Sequence, residues 1–109
     1  MVKKIYLFCS SGMSTSLLVS KMLQAGKELG LAVDVRAFPY DKLDEIFQND
    51  RPDCILIGPQ LRFMLSDVKK KYEGTCVPAA AISPADYGSV DGGKVLSFAL
   101  SLIAQKSQG

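Results

Sequence analysis

Histidine is absent from all 109 residues of the chain. The protein therefore has no imidazole base, no Cys–His dyad and no phosphohistidine of its own, and chemistry of that kind has to arrive on another protein. The three cysteines, Cys9, Cys54 and Cys76, are odd in number and never take C-x-x-C spacing. That excludes thioredoxin-like redox chemistry and most zinc sites, so no metal and no cofactor is expected. Free thiols suit a reducing cytosol. No apolar run approaches the roughly 18–20 residues that span a bilayer. The opening MVKKIYLF sets basic residues before apolar ones, as a secretory leader does. Its apolar stretch before Cys9 is too short, however, and no small-residue cleavage site follows. The expectation is a cytoplasmic protein that is not itself membrane-inserted. A net charge of +2 is too small to argue for nucleic acid. The one basic cluster, Lys69-Lys70-Lys71, reads as a solvated helix face.

What is present suits a soluble globular chain, with 48% apolar residues and no excess of Gly or Pro. The length fits a single domain over residues 1–109. Lys4 to Phe8 is a short apolar run of the buried-strand type. Leu18, Met22, Ala25 and Leu29 then mark one helical stripe, stopped by Gly30. Leu31 to Val35 reads as a second strand. Pro39 and Asp41 open a short helix carrying Leu43, Ile46 and Phe47. Cys54 to Ile57, closed by Gly58-Pro59, reads as a central parallel strand.

Leu61, Met64, Leu65, Val68 and Tyr72 form a further helical stripe. Val77 to Ile82 is a fourth strand, and Pro78 puts it at a sheet edge, because proline cannot donate to the ladder. After the loop SPADYGSVDGG, the residues Val95, Phe98, Ala99, Leu102 and Ile103 mark the last helix. The alternation βαβαβαβα, without repeats or linkers, predicts an α/β fold: a four-stranded parallel sheet in the order 2-1-3-4, with helices on both faces. Ligands bind such sheets at the carboxyl ends of the strands, beside the switch point. Cys9, following the first strand, stands there. Gly58-Pro59-Gln60 is expected to face it.

The segment CSSGMSTS, residues 9 to 16, carries no charge; none occurs between Lys4 and Lys21. The amides of the loop and of the first helical turn make a positive concavity suited to a phosphate-sized anion, and the same field favours a thiolate. Gly12 permits a tight backbone turn. Ser10, Ser11, Ser14, Thr15 and Ser16 either bond anion oxygens or cap the loop and helix. Cys54 reads as core, and Cys76 as incidental.

Low-molecular-weight tyrosine phosphatases and related arsenate reductases follow their first strand with Cys, five residues and then Arg. Counting from Cys9, that place is held by Thr15. The arginine clamps the phosphoryl oxygens in the transition state. Those enzymes also use a later aspartate as general acid. Asp86 in PADYG has a suggestive place, and a turn residue before Gly88 explains it equally well. A cradle without Arg, His or a base for water holds phosphate on sulfur and hydrolyses it poorly. A phosphatase-like thiol enzyme and a non-enzymatic anion-binding regulatory module are the alternatives.

The run KKIYLFCSSGMSTSLLVSKM, with ILIGPQLRFML and YGSVDGGKVL, resembles the enzyme IIB proteins of the bacterial phosphoenolpyruvate-dependent sugar phosphotransferase system. The class is the lactose/cellobiose/chitobiose one, nearest its cellobiose-type members, and the resemblance covers nearly the whole chain. It implies a phosphoryl relay. Cys9 takes phosphate from a phosphohistidine on enzyme IIA and passes it to the 6-hydroxyl of a sugar bound by the membrane enzyme IIC. Cys9 is then the phosphocysteine, and Ser10, Ser11, Gly12, Met13, Ser14, Thr15 and Ser16 the phosphate-cradling loop. Gln60 and Tyr87 border a docking surface or serve turn packing. In this scheme the permease selects the sugar.

Overall fold

The computed structural model describes residues 2–10 and 15–108, the last three by backbone alone. Strand β1 (Lys3–Cys9) leads to helix α1 (Ser16–Glu28), strand β2 (Val33–Pro39) and, through a 3-10 turn, helix α2 (Leu43–Asn49). Strand β3 (Cys54–Ile57) follows, then a 3-10 segment over Pro59–Met64 and helix α3 (Leu65–Tyr72). Strand β4 (Ala79–Ala81), a short helix α4 (Pro84–Gly88) and helix α5 (Gly92–Gln108) complete the chain. All strands are parallel, in the expected order β2-β1-β3-β4.

Both faces of the sheet are covered, so its strands are apolar without interruption and alternate residues serve two different cores. Ile5, Leu7, Val35, Cys54 and Leu56 point to one side, where Leu18 and Met22 of α1 meet Val95, Leu96 and Ala99 of α5. Tyr6, Phe8, Ile55 and Ile57 point to the other, against Leu43 of α2 and Val68 and Tyr72 of α3. Each large aliphatic side chain buried this way contributes about 1.5–3 kcal/mol. Cys54 is core as expected, and burial, with the charge of Asp53 as a lesser cause, pushes its thiol up to about 12.

The expected elements are present with shifted ends. Leu29, placed on the apolar stripe of α1, is exposed, and Gly26 takes the buried position instead. The lack of a side chain there brings α1 close to β2: a Cβ on Gly26 would lie 2.6 Å from Val33 Cγ2. The helix ends in a Schellman motif. Gly30 has φ +70, its N–H donates to the Lys27 carbonyl at 3.1 Å, and the Leu31 N–H donates to the Gly26 carbonyl at 2.9 Å. Left-handed backbone at this position favours glycine. Leu31 is spent on that motif, so β2 starts at Val33 rather than Leu31. It runs on to Pro39 because β1 supplies partners as far as Cys9. Cys9 is accordingly the last residue of β1, not the one after it.

At the other edge β4 is shorter than Val77–Ile82, although the Pro78 carbonyl and the Ile82 N–H still bond to β3 at 2.9 and 2.8 Å. Pro78 thus precedes an edge strand, where its missing donor costs nothing. Within SPADYGSVDGG, Pro84–Gly88 coils into α4. Phe98 lies exposed at a rim while Leu96 and Ala99 fill the buried seats of α5. Gly92 starts α5 directly on the backbone of α1: a Cβ there would sit 2.4 Å from the Lys21 carbonyl carbon and 2.6 Å from the Met22 nitrogen.

Two aspartates are held ionised on the α2/α3 side. The Asp50 carboxyl is pulled below its usual range by hydrogen bonds from Lys4 and then Tyr6. Asp44 is lowered in the same way by Lys71 and then Tyr72. Of the lysine cluster, Lys71 therefore makes an ion pair, and Lys69 and Lys70 are exposed as expected. A carboxyl whose folded value is depressed stabilises the fold above its unfolded value, 3.8 here, and loses that contribution as pH falls through the folded value. Unfolding stability should therefore drop as the pH is lowered below about 4. Asp50→Asn should flatten that drop, while at neutral pH the exposed pair with Lys4 is worth little. Denaturant titrations of both proteins across the acid range check this, and an unchanged acid slope would count against it.

Candidate active site

The carboxyl end of β1 delivers Cys9 to the switch point between β1 and β3. Cys9 is 2% exposed. Its strand neighbour β3 ends one residue before Gly58, whose N–H donates to the Phe8 carbonyl at 2.9 Å. A Cβ on Gly58 would lie 3.5 Å from Cys9 Cβ and 3.2 Å from Gln60 Oε1. The segment Gly58-Pro59-Gln60 therefore adjoins Cys9, as expected from the topology, and the small residue allows the approach. Gln60 itself is exposed at the start of the 3-10 segment.

The hydroxyl of Thr15 bonds directly to the thiol. Thr15 is 1% exposed, and its Oγ1 donates to Cys9 Sγ at 2.8 Å. It occupies the N-cap position of α1 and makes no capping bond with its side chain. Of the two sequence-level roles open to this residue, cap or site, the hydroxyl serves the site.

Helix α1 begins one residue later. The first amides of a helix lie outside its own ladder and carry the positive end of its dipole. No acidic residue occupies the first turn to compete for that field. Ser10, directly after Cys9, and Ser16, the first residue of α1, are both exposed. Ser11, Gly12, Met13 and Ser14, read as part of a phosphate-cradling loop, lie outside the described residues.

Two further candidates come from α4. The Tyr87 hydroxyl is 3.5 Å from Thr15 Oγ1, which brings this residue to the site rather than only to its border. Asp86 is turned to another task. Its backbone carbonyl accepts from Asp91 N at 2.9 Å and Ser89 Oγ at 3.4 Å, and its side chain lines a pocket of about 180 Å³ with Ser83, Val95 and Phe98. These backbone bonds place Asp86 in the turn that closes α4. No group of three or more His, Cys, Asp or Glu able to hold a metal occurs among the described residues.

The sequence reading marked Thr15 by counting five residues from Cys9. It did not show that the hydroxyl points at sulfur. The contact between Tyr87 and Thr15 spans 72 positions and has no local signal at all.

A parallel α/β sheet with a hydroxyl-bonded thiol at the carboxyl end of its first strand defines the molecular class. Residues 4–98 match the family model described as "PTS system, Lactose/Cellobiose specific IIB subunit". The oligo-beta-mannoside-specific EIIB component of Bacillus subtilis (strain 168) is 39% identical over 105 residues, covering 96% of this chain and all of that protein. The cellobiose-specific EIIB component of Lactococcus lactis subsp. lactis (strain IL1403) is 41% identical over 104 residues, with 93% and 96% covered.

Among solved structures, the cellobiose-specific phosphotransferase IIB component of Borrelia burgdorferi superposes with a TM-score of 0.79 at 31% identity, covering 97% and 95% of the two chains. The lactose-specific IIB domain of Streptococcus pneumoniae also reaches 0.79, over 93% and 97%, and at 18% identity it speaks for the fold alone. The chain belongs to the lactose/cellobiose-specific IIB family of the sugar phosphotransferase system. It is thereby a phosphotransferase component of sugar uptake, of the kind that works with a IIA component and a membrane IIC component. None of its described helices is long and apolar enough to cross a membrane.

Proposed function

We propose that Cys9 is the residue that carries the phosphoryl group. It accepts phosphate from a phosphohistidine of its IIA partner and hands it to the 6-hydroxyl of a sugar held by membrane IIC. We take the sugar to be a β-disaccharide of the cellobiose type, as for the cellobiose-specific relative. The protein acts as one domain over residues 1–109, in the cytoplasm. Ser10 to Ser16 cradle the phosphoryl oxygens, with the N-terminus of α1 supplying positive potential. Gln60 and Tyr87, on the segments that follow β3 and β4, border the face that donor and acceptor approach.

The observation that carries this reading is the 2.8 Å bond from Thr15 to Cys9 Sγ at the start of α1. Thr15 stands where a phosphatase of similar loop would place its arginine. It donates to the sulfur without clamping a phosphoryl group for attack by water. The chain, with no histidine to serve as base, keeps phosphate on sulfur until an acceptor takes it. The test is intact-mass analysis after incubation with phosphoenolpyruvate, the general phosphotransferase proteins and the cognate IIA. One phosphoryl group should be gained, only when IIA is present, and peptide mapping should place it on Cys9. Steady turnover of an aryl phosphate without partners would instead make the protein a thiol phosphatase.

A further inference from the structure

We propose that Tyr87 is a positioning residue for the thiol, acting through Thr15. A hydroxyl has one proton and two lone pairs. Thr15 commits its proton to Cys9 Sγ. Its oxygen can then only accept, so in the pair with Tyr87 the phenol is the donor, and the direction runs from Tyr87 to Thr15 to sulfur. The 3.5 Å separation is longer than a made O–H···O bond, roughly 2.7–2.8 Å. With a resting thiol, Tyr87 is therefore poised beside Thr15. Charge on sulfur draws the Thr15 proton forward and makes its oxygen a better acceptor, and the phenol closes on it.

The phenol is well held for this task. The Tyr87 N–H donates to the Ser83 carbonyl at 2.9 Å, and the Tyr87 carbonyl accepts from Val90 N at 3.2 Å. Together with the bond from Asp91 N to the Asp86 carbonyl, this closes a second Schellman motif, with Val90 in the glycine-favoured place at φ +53. A β-branched residue with left-handed backbone is strained and persists only where its surroundings hold it. Asp91 continues directly into α5 and caps it, its Oδ1 accepting from Lys94 N at 3.1 Å. The turn that carries Tyr87 is thus tied to the helix packed against α1.

The consequence rests on the relay reading. When phosphate leaves Cys9, the S–P bond breaks and its electron pair stays on Sγ. The phosphoryl group joins the sugar oxygen, whose proton passes to solvent. The charge returning to sulfur is met by the hydroxyl that Tyr87 orients.

The test needs no donor, so its failure is separate from failure of the relay reading. Cys9 in the full chain is alkylated with iodoacetamide and followed by peptide mass spectrometry, which resolves it from Cys54 and Cys76. Tyr87→Phe should slow the reaction at about pH 7 roughly three- to tenfold. In a Thr15→Val background Tyr87→Phe should add nothing, whereas in Thr15→Ser, which keeps the hydroxyl, its effect should return. Two results would overturn the proposal: no slowing at pH 7, or equal slowing with and without the Thr15 hydroxyl. An intact coupling in a protein that takes no phosphate from IIA would sink the relay reading and leave the coupling standing.

Discussion

Cys9→Ser should form no sugar phosphate in the reconstituted relay, a loss of more than about a thousandfold. A serine hydroxyl is a poor nucleophile without an adjacent base, whereas a thiol is partly ionised at neutral pH and strongly nucleophilic in itself. The chain has no histidine to make up the difference. Its other thiols are no substitute. Cys54 is fully buried in β3, with its thiol pushed up to about 12. Cys76 is exposed; it precedes β4 and so sits toward the amino ends of the parallel strands, opposite Cys9. Cys54→Ala and Cys76→Ser should therefore still transfer. Sugar phosphate production, with intact mass as the check on the carrier, decides the matter. Phosphate retained by Cys9→Ser would move the acceptor elsewhere.

Among the described glycines, Gly92→Ala should give the largest loss of stability. The new Cβ would meet the Lys21 carbonyl carbon at 2.4 Å and the Met22 nitrogen at 2.6 Å. These are backbone atoms inside α1, which no rotamer change can move. Relief requires α5 to withdraw from α1, and Leu96 and Ala99 to leave their buried seats. Overpacking of this kind costs about 3 kcal/mol. At about 4–8 °C per kcal/mol for a domain near this size, the melting temperature should fall by roughly 12–24 °C. Gly93→Ala is the control. Its Cβ would meet only Asp91 Oδ1, at 3.8 Å, so better helix propensity should leave the protein unchanged or more stable by up to about 1 kcal/mol. Thermal melts of the pair give the answer, and similar losses in both would show that the close contact is not what matters.

Much of this architecture is legible along the chain because neighbours decide it. Cys54–Ile57 is bounded by Asp53 on one side and Gly58-Pro59 on the other, and the strand falls where the reading puts it. The strand order follows from alternation and right-handed crossovers. The errors lie where distant contacts take over. Leu31 looks like the start of a strand and is used to close a helix. β2 reaches Pro39 because β1 pairs with it that far. Leu29 and Phe98 keep the helical period but lie off the packed surface. α4 hides in a stretch rich in Pro, Asp and Gly, because five residues are too few to show a period. At the site, the spacing from Cys9 to Thr15 drew attention to the right residue for a partial reason. The direction of its hydroxyl, and the arrival of Tyr87 beside it, are products of folding.

β1 is paired along both edges, to β2 and to β3, and is buried on both faces from Ile5 to Phe8. In a structure that opens piecewise, such a strand belongs to the most protected unit, while edge strands and short terminal turns open at lower cost. β4 has only three residues and one neighbour. Cys9 is the last residue of an inner strand. Cys9 is therefore fastened to the part of the molecule that yields last. The sulfur we propose as the phosphate carrier thus keeps one fixed address while the edges of the sheet open and close around it.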